Sequence, residues 1–595
     1  MDAIRDAWKN RIARALEKVL ANAGLEGRID AAQVIAEIPP KLELGDLGFP
    51  MFSFAKILRK GPPQIAQMVC AQLPLVNGGS NTEENAAGTF AAEGPYVNVR
   101  LDRPSVIAFV LAQAADESAP VGRPGNLAGS RIMVEFSSPN TNTPLHLGHV
   151  RNDILGESIS RILAACGAEV RKVCIINDRG IHICKSMLAY KEYGQGKTPA
   201  SEHIKSDHFV GDWYVKYHQM SQADSGAEAR AQEMLRRWEA GDKETVELWQ
   251  KMKDWTVDGM KETYERTGIS FDQYYYESQT YLLGKDEVLK GLEQGIFYRE
   301  QDGAVAVDLT AEKLDKKILL RKDGTSIYIT QDFGTAIFRY NDWPFDRMVY
   351  VVGSEQQYHF QVLFAILKRL GYQWADNLYH LSYGMVNLPE GKMKSREGTV
   401  VDADDLIDSL RDLALEEIRS KDREEAVGDS AEVAEKIALG ALHYYLLQVA
   451  PAKDMLFNPK ESLSFSGNTG PYLQYMGARI SSMLRKDSML RSDNSNTAGI
   501  IKPELLVDDA EWELVKTISA YPHVVADAAD RMDPSVLTAY LYELSKGFSR
   551  FYHDCPILNA KDPDLAAGRL ALSKAVLRIL RDALNLTGIP FLETM

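Results

Sequence analysis

The chain is 595 residues long, with 45% hydrophobic and 25% charged residues. This is the composition of an ordinary globular protein, and it excludes a disordered or fibrous chain. No apolar run reaches about 18 residues, so we expect no membrane-spanning helix. Five cysteines without CxxC spacing argue against a disulfide framework or a structural zinc site and favour the reduced cytoplasm. The formal net charge of −15 argues against broad nucleic-acid binding, although a local basic track can still bind one chosen RNA.

The first predicted domain covers residues 1–127. Apolar residues recur at every fourth position from Ile4 to Leu20, which is the spacing of an amphipathic helix. Residues alternate between apolar and polar from Tyr96 to Val99, which predicts a strand. We therefore expect a small α+β domain, followed by a linker rich in proline and glycine at residues 118–130.

Strand and helix patterns alternate in the second predicted domain, residues 128–460. Apolar strand patterns lie at 131–138, 169–178 and 347–353, and helical patterns separate them. This order is typical of a parallel, Rossmann-type sheet. The polar stretch at about 198–260 predicts helices inserted into this domain.

The third predicted domain, residues 461–595, shows the helical period throughout. A helical bundle is the simplest interpretation. The predicted fold class is therefore α/β, with a Rossmann-type parallel-sheet domain at the centre, an α+β N-terminal domain and an all-α C-terminal domain.

Two histidines follow the predicted strand at 131–138, at the start of a helix. They are His146 and His149, with Gly148 between them, and this spacing places both imidazoles on one face of the helix. The helix N-terminus suits a phosphate, and two more N–H donors can stabilise charge on an α-phosphate while pyrophosphate leaves. The missing side chain of Gly148 lets an adenine pack on the backbone. The structural alternative is a pair of histidines that only cap the helix.

A second motif lies far downstream, in the segment LPEGKMKSREG. It carries three cations, Lys392, Lys394 and Arg396. Such a loop can close over a triphosphate and neutralise the departing pyrophosphate. The plain alternative is a solvated basic loop, and the order of this segment after HLGH favours the phosphate interpretation.

HLGH followed by KMKS resembles the two signatures of class I aminoacyl-tRNA synthetases. Further segments resemble the arginyl-tRNA synthetase family: VEFSSPN before HLGH, YITQD at 328–332, GNTGPYLQYMGARI at 467–480 and RDALNLTGI at 581–589. The resemblance covers essentially the whole chain. It implies ATP-dependent activation of L-arginine to arginyl-adenylate, followed by transfer to the 3′ end of an arginine tRNA.

The resemblance also assigns an amino-acid site. The residues that would bind arginine are Glu135, Ser138, Asn140, His149, Tyr328, Asp332 and Gln356. The carboxylate and amide oxygens among them suit the five donors of a planar guanidinium. The plain alternative for Asp332 is a cap after a strand at 328–330. Asp178 and His182 follow a neighbouring strand end, where they could touch substrate, but helix capping is the favoured interpretation.

Both signatures are assigned to ATP. The ATP-binding residues would be His146, Gly148, His149, Lys392, Met393, Lys394, Ser395 and Arg396, and the catalytic ones His146, His149, Lys392 and Lys394. The loop departs from the family's usual KMSK or KMST, because Lys394 and Ser395 stand in reverse order. Thr143 occupies the position of a lysine that compensates in some family members. We expect Lys394 to take the role of the second lysine of the usual loop, from one position earlier in the chain.

The resemblance implies tRNA contacts in the first and third predicted domains. These are Tyr96 and Asn98 for the D-loop, and Tyr472, Tyr475, Arg479, Arg485 and Lys486 on the anticodon side. Tyrosines can stack on splayed bases, and arginines can clamp a base plane or the backbone. The alternative for Tyr472 and Tyr475 is a place in the core of the bundle.

The expected partners are L-arginine, arginine tRNA and ATP with Mg²⁺, without a structural metal, DNA or a membrane. We expect a cytoplasmic monomer, and the resemblance implies that arginine activation requires bound tRNA.

Two rival hypotheses for the function remain. One is another enzyme with the HxGH core, such as a synthetase for cysteine or glutamate, and Glu135 and Asp332 argue against it. The other is a non-catalytic tRNA-binding relative, supported only by the altered loop.

Overall fold

The computed structural model describes residues 2–25, 27–73, 88–116, 120–387, 401–420, 428–493 and 500–595. The chain divides into two compact units. Unit 1 comprises Met1–Gly122, Arg479–Val524 and Tyr540–Asp582. Unit 2 comprises Arg123–Ala478, Val525–Ala539 and Ala583–Met595.

The described strands and helices are given in chain order. The strands are β1 (Leu47–Pro50), β2 (Gly88–Glu93), β3 (Tyr96–Leu101), β4 (Arg131–Glu135), β5 (Glu169–Ile176), β6 (Gln273–Tyr276), β7 (Tyr298–Arg299), β8 (Val305–Val307), β9 (Lys317–Leu320), β10 (Arg347–Gly353), β11 (Leu378–Tyr383), β12 (Val386–Asn387) and β13 (Met455–Leu456). The α-helices are α1 (Asp2–Asn22), α2 (Ala55–Leu58), α3 (Pro62–Gln72), α4 (Arg103–Ala115), α5 (Leu147–Ala165), α6 (Ile181–Tyr193), α7 (Pro199–Glu202), α8 (Ser206–Ala223), α9 (Ala227–Glu239), α10 (Lys243–Thr267), α11 (Glu277–Thr280), α12 (Lys285–Glu293), α13 (Tyr328–Asp342), α14 (Gln357–Arg369), α15 (Ala403–Ser420), α16 (Ser430–Leu447), α17 (Pro459–Ser462), α18 (Gly470–Asp493), α19 (Asp509–Arg531), α20 (Ser535–Asp554) and α21 (Pro563–Leu586).

A five-stranded parallel sheet organises unit 2, in the order β11-β10-β4-β5-β6. The chain builds β5 and β6 on one side of β4 and then returns to place β10 and β11 on the other side. This reversal makes the carboxyl ends of β4 and β10 a topological switch point, where open α/β sheets bind ligands. The predicted Rossmann-type sheet is confirmed.

Helix α5 packs closely on this sheet because one of its positions has no side chain. A Cβ atom at Gly156 would lie 2.2 Å from Cγ of Phe136, the residue that follows β4. Phe136 is fully buried. The absence of a Cβ at Gly156 therefore lets the phenyl ring lie against the helix, which fixes the path of the chain between β4 and α5.

Arg151 fastens α5 to the segments beside β12 and β13. Its guanidinium is buried and donates to the backbone carbonyls of Gly384 (2.7 Å), Met385 (3.2 Å), Pro451 (3.2 Å) and Lys453 (2.8 Å). A planar group with five donors can satisfy several carbonyls at once. The carbonyl oxygens therefore compensate for the lost hydration of this buried guanidinium.

The inserted helices α7–α10 extend past the predicted limit of 260, because α10 continues to Thr267. Gly268 ends the helix in the left-handed conformation, with φ of 71°, as glycine commonly does at a helix C-terminus. Phe209 and Met252 of the insertion pack in one apolar cluster with Tyr190 of α6. This shared cluster therefore holds the inserted helices against α6.

Unit 1 joins an antiparallel sheet of order β1-β3-β2 to helices from the C-terminal part of the chain. The indole N–H of Trp512 donates to Asp46 Oδ1 at 3.1 Å, and Arg103 pairs with Asp509 at 3.1 Å. The predicted α+β N-terminal domain and the helical C-terminal part are both confirmed. Among the described helices, none combines the length and the apolar content needed to cross a bilayer.

Candidate active site

The HLGH residues form the N-terminus of α5. His146 is the N-cap, and its Nδ1 accepts from the backbone N–H groups of Gly148 (3.1 Å) and His149 (3.3 Å). His149 Nδ1 in turn accepts from the backbone N–H of His146 at 3.2 Å. The two rings stack with their centroids 3.8 Å apart. Both histidines therefore cap the helix, as the structural alternative predicts, and both also line a cavity.

Burial sets the charge of this pair. It lowers the pKa of His146 to about 4 and holds the pKa of His149 well below its usual value. Both imidazoles are therefore neutral at pH 7. Because each Nδ1 accepts a hydrogen bond, the single ring proton lies on Nε2. The pair thus presents two neutral N–H donors.

Gly148 has a local role besides the predicted one. A Cβ at this position would lie 2.9 Å from Cε1 of His146. Any other residue would push the cap out of place, because a Cβ essentially never approaches another carbon so closely. The glycine is therefore required by the histidine that precedes it.

The chain that follows the KMKS segment returns to α5. The backbone N–H of Leu147 donates to the Val401 carbonyl at 3.0 Å, and that of Ala403 donates to the Leu145 carbonyl at 3.0 Å. The predicted loop residues Lys392, Met393, Lys394, Ser395 and Arg396 lie outside the described residues.

The cavity has a volume of about 1020 Å³ and opens at the carboxyl edge of the parallel sheet. The predicted arginine-binding and ATP-binding residues that line it are Asn140, His146, His149, Tyr328 and Asp332. Thr143, the position of the compensating lysine in some relatives, also lines it. Other predicted residues are absent from its described lining, namely Glu135, Ser138, Gly148 and Gln356.

Glu135 lies at the end of β4, where it is only 6% exposed. Its carboxylate forms a buried ion pair with Arg339 of α13. A buried carboxylate requires such a partner, and the sequence analysis missed this one. The pairing means that Glu135 is not a free acceptor in this structure, and its contact with arginine stays a prediction.

Helix α13 corrects one expectation. The alternative for Asp332, a cap after a strand at 328–330, is wrong, because this segment forms the first turn of α13. Its β-branched and aromatic residues suit a strand, and the surrounding structure overrides that preference. Tyr328, 76% exposed, and Asp332 are four residues apart and so share one helix face. The Asp332 carboxylate lies 2.6 Å from Nε2 of His359.

Glu277 is an acidic residue of the cavity that the sequence analysis missed. It follows β6 directly and begins α11. Burial, together with Asp178 and Asp332, raises its pKa to about 7, and Arg179 partly opposes this shift. The signal was present as a carboxylate at the end of the strand pattern YYYE. Glu277 and Asp332 are therefore two of the carboxylates that line the cavity, together with Glu239 and Asp323.

The expected helix caps are wrong, because α6 has Gly180 as its N-cap and His182 lies inside that helix. Asp178 instead holds the first turn of α11. Its buried carboxylate accepts from the backbone N–H of Ser278 (2.8 Å) and from the Ser278 hydroxyl (2.7 Å). This fixes the start of α11 and with it the position of Glu277. His182 lines the cavity, with Nδ1 3.0 Å from the Tyr214 hydroxyl.

One described group has the composition of a metal site. Ligand atoms of Asp207, His208 and Asp404 lie within 4.8 Å of one another. The Lys205 ammonium lies 2.7 Å from Asp404 and 3.3 Å from Asp207. The lysine supplies the positive charge that these carboxylates need, so the group does not suit a metal ion.

The residues expected to contact tRNA differ in exposure. Tyr96 is half-buried in β3, edge-on to Phe52 with ring centroids 5.9 Å apart, whereas Asn98 is buried at 8% exposure. Tyr472 is half-buried and Tyr475 is 36% exposed on α18. The alternative of a core position is therefore wrong for Tyr475.

The expected basic stripe lies on α18. The Arg479 guanidinium lies 4.3 Å from the centre of the Tyr552 ring, which is a cation–π geometry. Arg485 and Lys486 are exposed. The tyrosine partner holds Arg479 in a defined place, and its tRNA contact stays a prediction.

Asp153 is a buried acid close behind the HLGH residues on α5. It is 3% exposed, and burial raises its pKa to about 8, with the Glu157 carboxylate adding to the shift. A hydrogen bond from Ser137 acts in the opposite direction. The carboxyl group is therefore largely protonated at neutral pH.

A parallel sheet with HxGH at the first strand–helix junction defines a class I aminoacyl-tRNA synthetase fold. The model of class I (R) tRNA synthetase catalytic domains matches residues 124–458, the arginyl-tRNA synthetase N-terminal domain matches 6–101, and the DALR anticodon-binding domain matches 473–595. The chain is 58% identical to the arginine–tRNA ligase of Treponema denticola, and this match covers all of both chains. It is 44% identical to the arginine–tRNA ligase of Borrelia hermsii, and this match covers 100% of this chain and 99% of that one.

Solved structures agree with the sequence relatives. The arginyl-tRNA synthetase of Thermus thermophilus superposes with a TM-score of 0.80 at 27% identity, covering 99% of this chain and 100% of that one. The chain belongs to the arginyl-tRNA synthetase family.

Substitutions at His146 separate its capping role from its chemical role. Asparagine keeps an oxygen that can accept the two backbone N–H groups, and alanine does not. Both variants lose the Nε2–H donor, so we expect arginine-dependent ATP–pyrophosphate exchange to fall about 100-fold in each. Only His146→Ala should also lose about 1 kcal/mol of folding stability. Near-normal exchange in His146→Asn would show that the histidine only caps the helix.

Asp153 makes stability depend on pH. The unfolded chain ionises this carboxyl near its ordinary pKa of 3.8, and the folded chain near 8. The folded state therefore holds the extra proton between these values, and stability falls as the pH rises through that window. We expect the wild type to lose about 2 kcal/mol relative to Asp153→Asn between pH 6 and pH 8. Urea denaturation at both pH values measures the free energy of unfolding of the two proteins. The same change between pH 6 and pH 8 in the wild type and in Asp153→Asn would contradict the prediction.

Proposed function

We propose that this protein activates L-arginine with ATP and transfers it to the 3′ end of arginine tRNA. One observation carries the proposal: neutral N–H donors at a helix N-terminus line the same cavity as the carboxylates of Glu277 and Asp332. The first set suits phosphates and the second suits a guanidinium. The named relatives are arginine–tRNA ligases.

In the proposed first step, an oxygen of the arginine carboxylate attacks the α-phosphorus of ATP. The bond from that phosphorus to the bridging oxygen breaks, and pyrophosphate leaves. His146 and His149 donate from Nε2 to the α-phosphate region, where negative charge is redistributed. Because both rings are already neutral donors, they need no proton transfer beforehand. The adenine is assigned to the backbone at Gly148 on the motif alone, because the side of this glycine that lacks a Cβ faces the His146 ring.

The outer phosphates are assigned to the KMKS segment. Lys392, Lys394 and Arg396 would neutralise the departing pyrophosphate, with Met393 and Ser395 as further contacts. Their support is the motif and the return of the chain at Val401 to the N-terminus of α5. Mg²⁺ enters as part of the ATP substrate.

The guanidinium is assigned to Asp332 and Glu277. Both line the cavity, and the charge of Asp332 contributes to the raised pKa of Glu277. Two neighbouring carboxylates disfavour each other's charge until a cation binds between them. The further arginine contacts are proposed at Glu135, Ser138, Asn140, His149, Tyr328 and Gln356.

In the second step a ribose hydroxyl of the tRNA 3′ end attacks the activated carbonyl, and AMP leaves. Positioning and charge stabilisation lower the barrier, without a protein nucleophile. The proposed tRNA contacts are Tyr96, Asn98, Tyr472, Tyr475, Arg479, Arg485 and Lys486. The proposed domains are 1–127 for the tRNA elbow, 128–460 for catalysis and 461–595 for the anticodon side. We further propose a cytoplasmic monomer.

The proposal is tested by arginine-dependent ATP–pyrophosphate exchange, with and without arginine tRNA. Exchange only with tRNA present would support both the activity and the coupling that the family resemblance implies. Exchange without tRNA would retain the activity and remove the coupling. No exchange in either case, with tRNA still bound, would identify a non-catalytic tRNA-binding protein.

Glu277 predicts a pH-dependent KM for arginine. Its pKa is raised to about 7, and only the ionised form pairs with a guanidinium, so the wild-type KM should fall as the pH rises from 6 to 8. Glu277→Gln should abolish this dependence and raise the KM about 10-fold at pH 8. The control is Asp376→Asn, which removes an exposed carboxylate paired with Lys368. An unchanged pH profile in Glu277→Gln would contradict the assignment.

A further inference from the structure

Two consecutive residues after β4 have left-handed backbone conformations. Ser137 has φ of 74° and Ser138 has φ of 52°. Residues other than glycine rarely adopt these angles, and they persist only where the surroundings hold them. The turn leads directly to Asn140, which lines the cavity.

Several hydrogen bonds hold this turn, besides the one between the Ser137 side chain and Asp153. The backbone N–H of Ser137 donates to Asn152 Oδ1 at 2.6 Å, and Asn177 Nδ2 donates to the Ser138 carbonyl at 2.9 Å. The Ser137 hydroxyl lies 2.6 Å from the hydroxyl of Tyr264. Asn152 belongs to α5 and Asn177 directly follows β5, whereas Tyr264 belongs to the inserted helix α10.

Other side chains of α10 contact the same edge of the sheet. The Trp249 indole donates to the Asp178 carbonyl at 2.6 Å, and the Thr256 hydroxyl donates to the Thr141 carbonyl at 3.3 Å. Tyr264 itself is 3% exposed and is not among the cavity-lining residues. Its hydroxyl therefore lies outside the cavity and contacts the turn through Ser137.

We propose that Tyr264 is a positioning residue: its hydroxyl holds the left-handed Ser137–Ser138 turn that places Ser138 and Asn140 for arginine binding. The inference rests on the proposed function and gives the inserted helices a role, which is to fix this strand end. Without the hydroxyl, the serines relax toward ordinary angles and Asn140 leaves its place.

The test begins with Tyr264→Phe, which keeps the buried ring and removes one oxygen. We expect the KM for arginine to rise about tenfold, with the KM for tRNA unchanged. The matched control is Tyr217→Phe, because Tyr217 is also buried in the inserted helices and its hydroxyl bonds to Glu228 at 3.0 Å. The control should leave the KM for arginine at the wild-type value.

A second substitution distinguishes positioning from a general loss of stability. Glycine adopts left-handed angles without strain, so Ser137→Gly should remove the need for the hydroxyl. We expect the Tyr264→Phe/Ser137→Gly double variant to regain a KM within about twofold of Ser137→Gly alone. A double variant as impaired as Tyr264→Phe would overturn the proposal, and so would an unchanged KM in Tyr264→Phe.

Amide hydrogen exchange keeps this test separate from the proposed activity. Tyr264→Phe should accelerate exchange at Ser138 and Thr141, whose N–H groups donate to Phe136 and Asn177, whether or not the wild type exchanges pyrophosphate. An inactive wild type with this acceleration would overturn the proposed function alone. Unchanged protection would overturn the positioning role alone.

Discussion

The first turn of α5 leaves backbone N–H groups that need partners, and in this chain a half-buried imidazole accepts from two of them. Nδ1 of His146 can accept from Gly148 and His149 only while it carries no proton. Serine or aspartate caps helices more often, but neither would present an N–H donor from the far side of a rigid ring. The need for a cap thus fixes the charge, tautomer and orientation of a group that lines the cavity.

The charges of the cavity follow from this arrangement. The neutral donors come from α5, whereas the two carboxylates assigned to the guanidinium come from α11 and α13. A substrate with an anionic triphosphate and one with a cationic side chain therefore meet complementary groups on different elements. Other charged groups are paired within the protein: Arg339 neutralises the buried Glu135, and Arg179 pairs with the exposed Glu239 at 2.6 Å.

Most of the fold and the main signature follow from local sequence patterns. The apolar strands, the helical periods and HLGH at a strand end are readable because each is encoded by residues close together in the chain. The strand expected at 328–330 was wrong, because the β-branched and aromatic residues there gave no sign of the helix that they begin. Arg339 and Tyr264 were missed for another reason. Their roles depend on partners more than 100 residues away in the chain, and no local spacing indicates such a contact.

The contacts of Arg151 bear on how this chain can diverge. Its acceptors are backbone carbonyls of Gly384, Met385, Pro451 and Lys453, which every amino acid possesses. The side chains at 385, 451 and 453 are therefore free to change without loss of these bonds. Position 384 is restricted for a separate reason, because a Cβ there would lie 2.4 Å from the Lys453 carbonyl carbon. Arginine itself has no substitute, since lysine has three donors at a single point and cannot reach four separated oxygens. Sequence drift around this junction should thus leave the guanidinium in place while most of its partners vary.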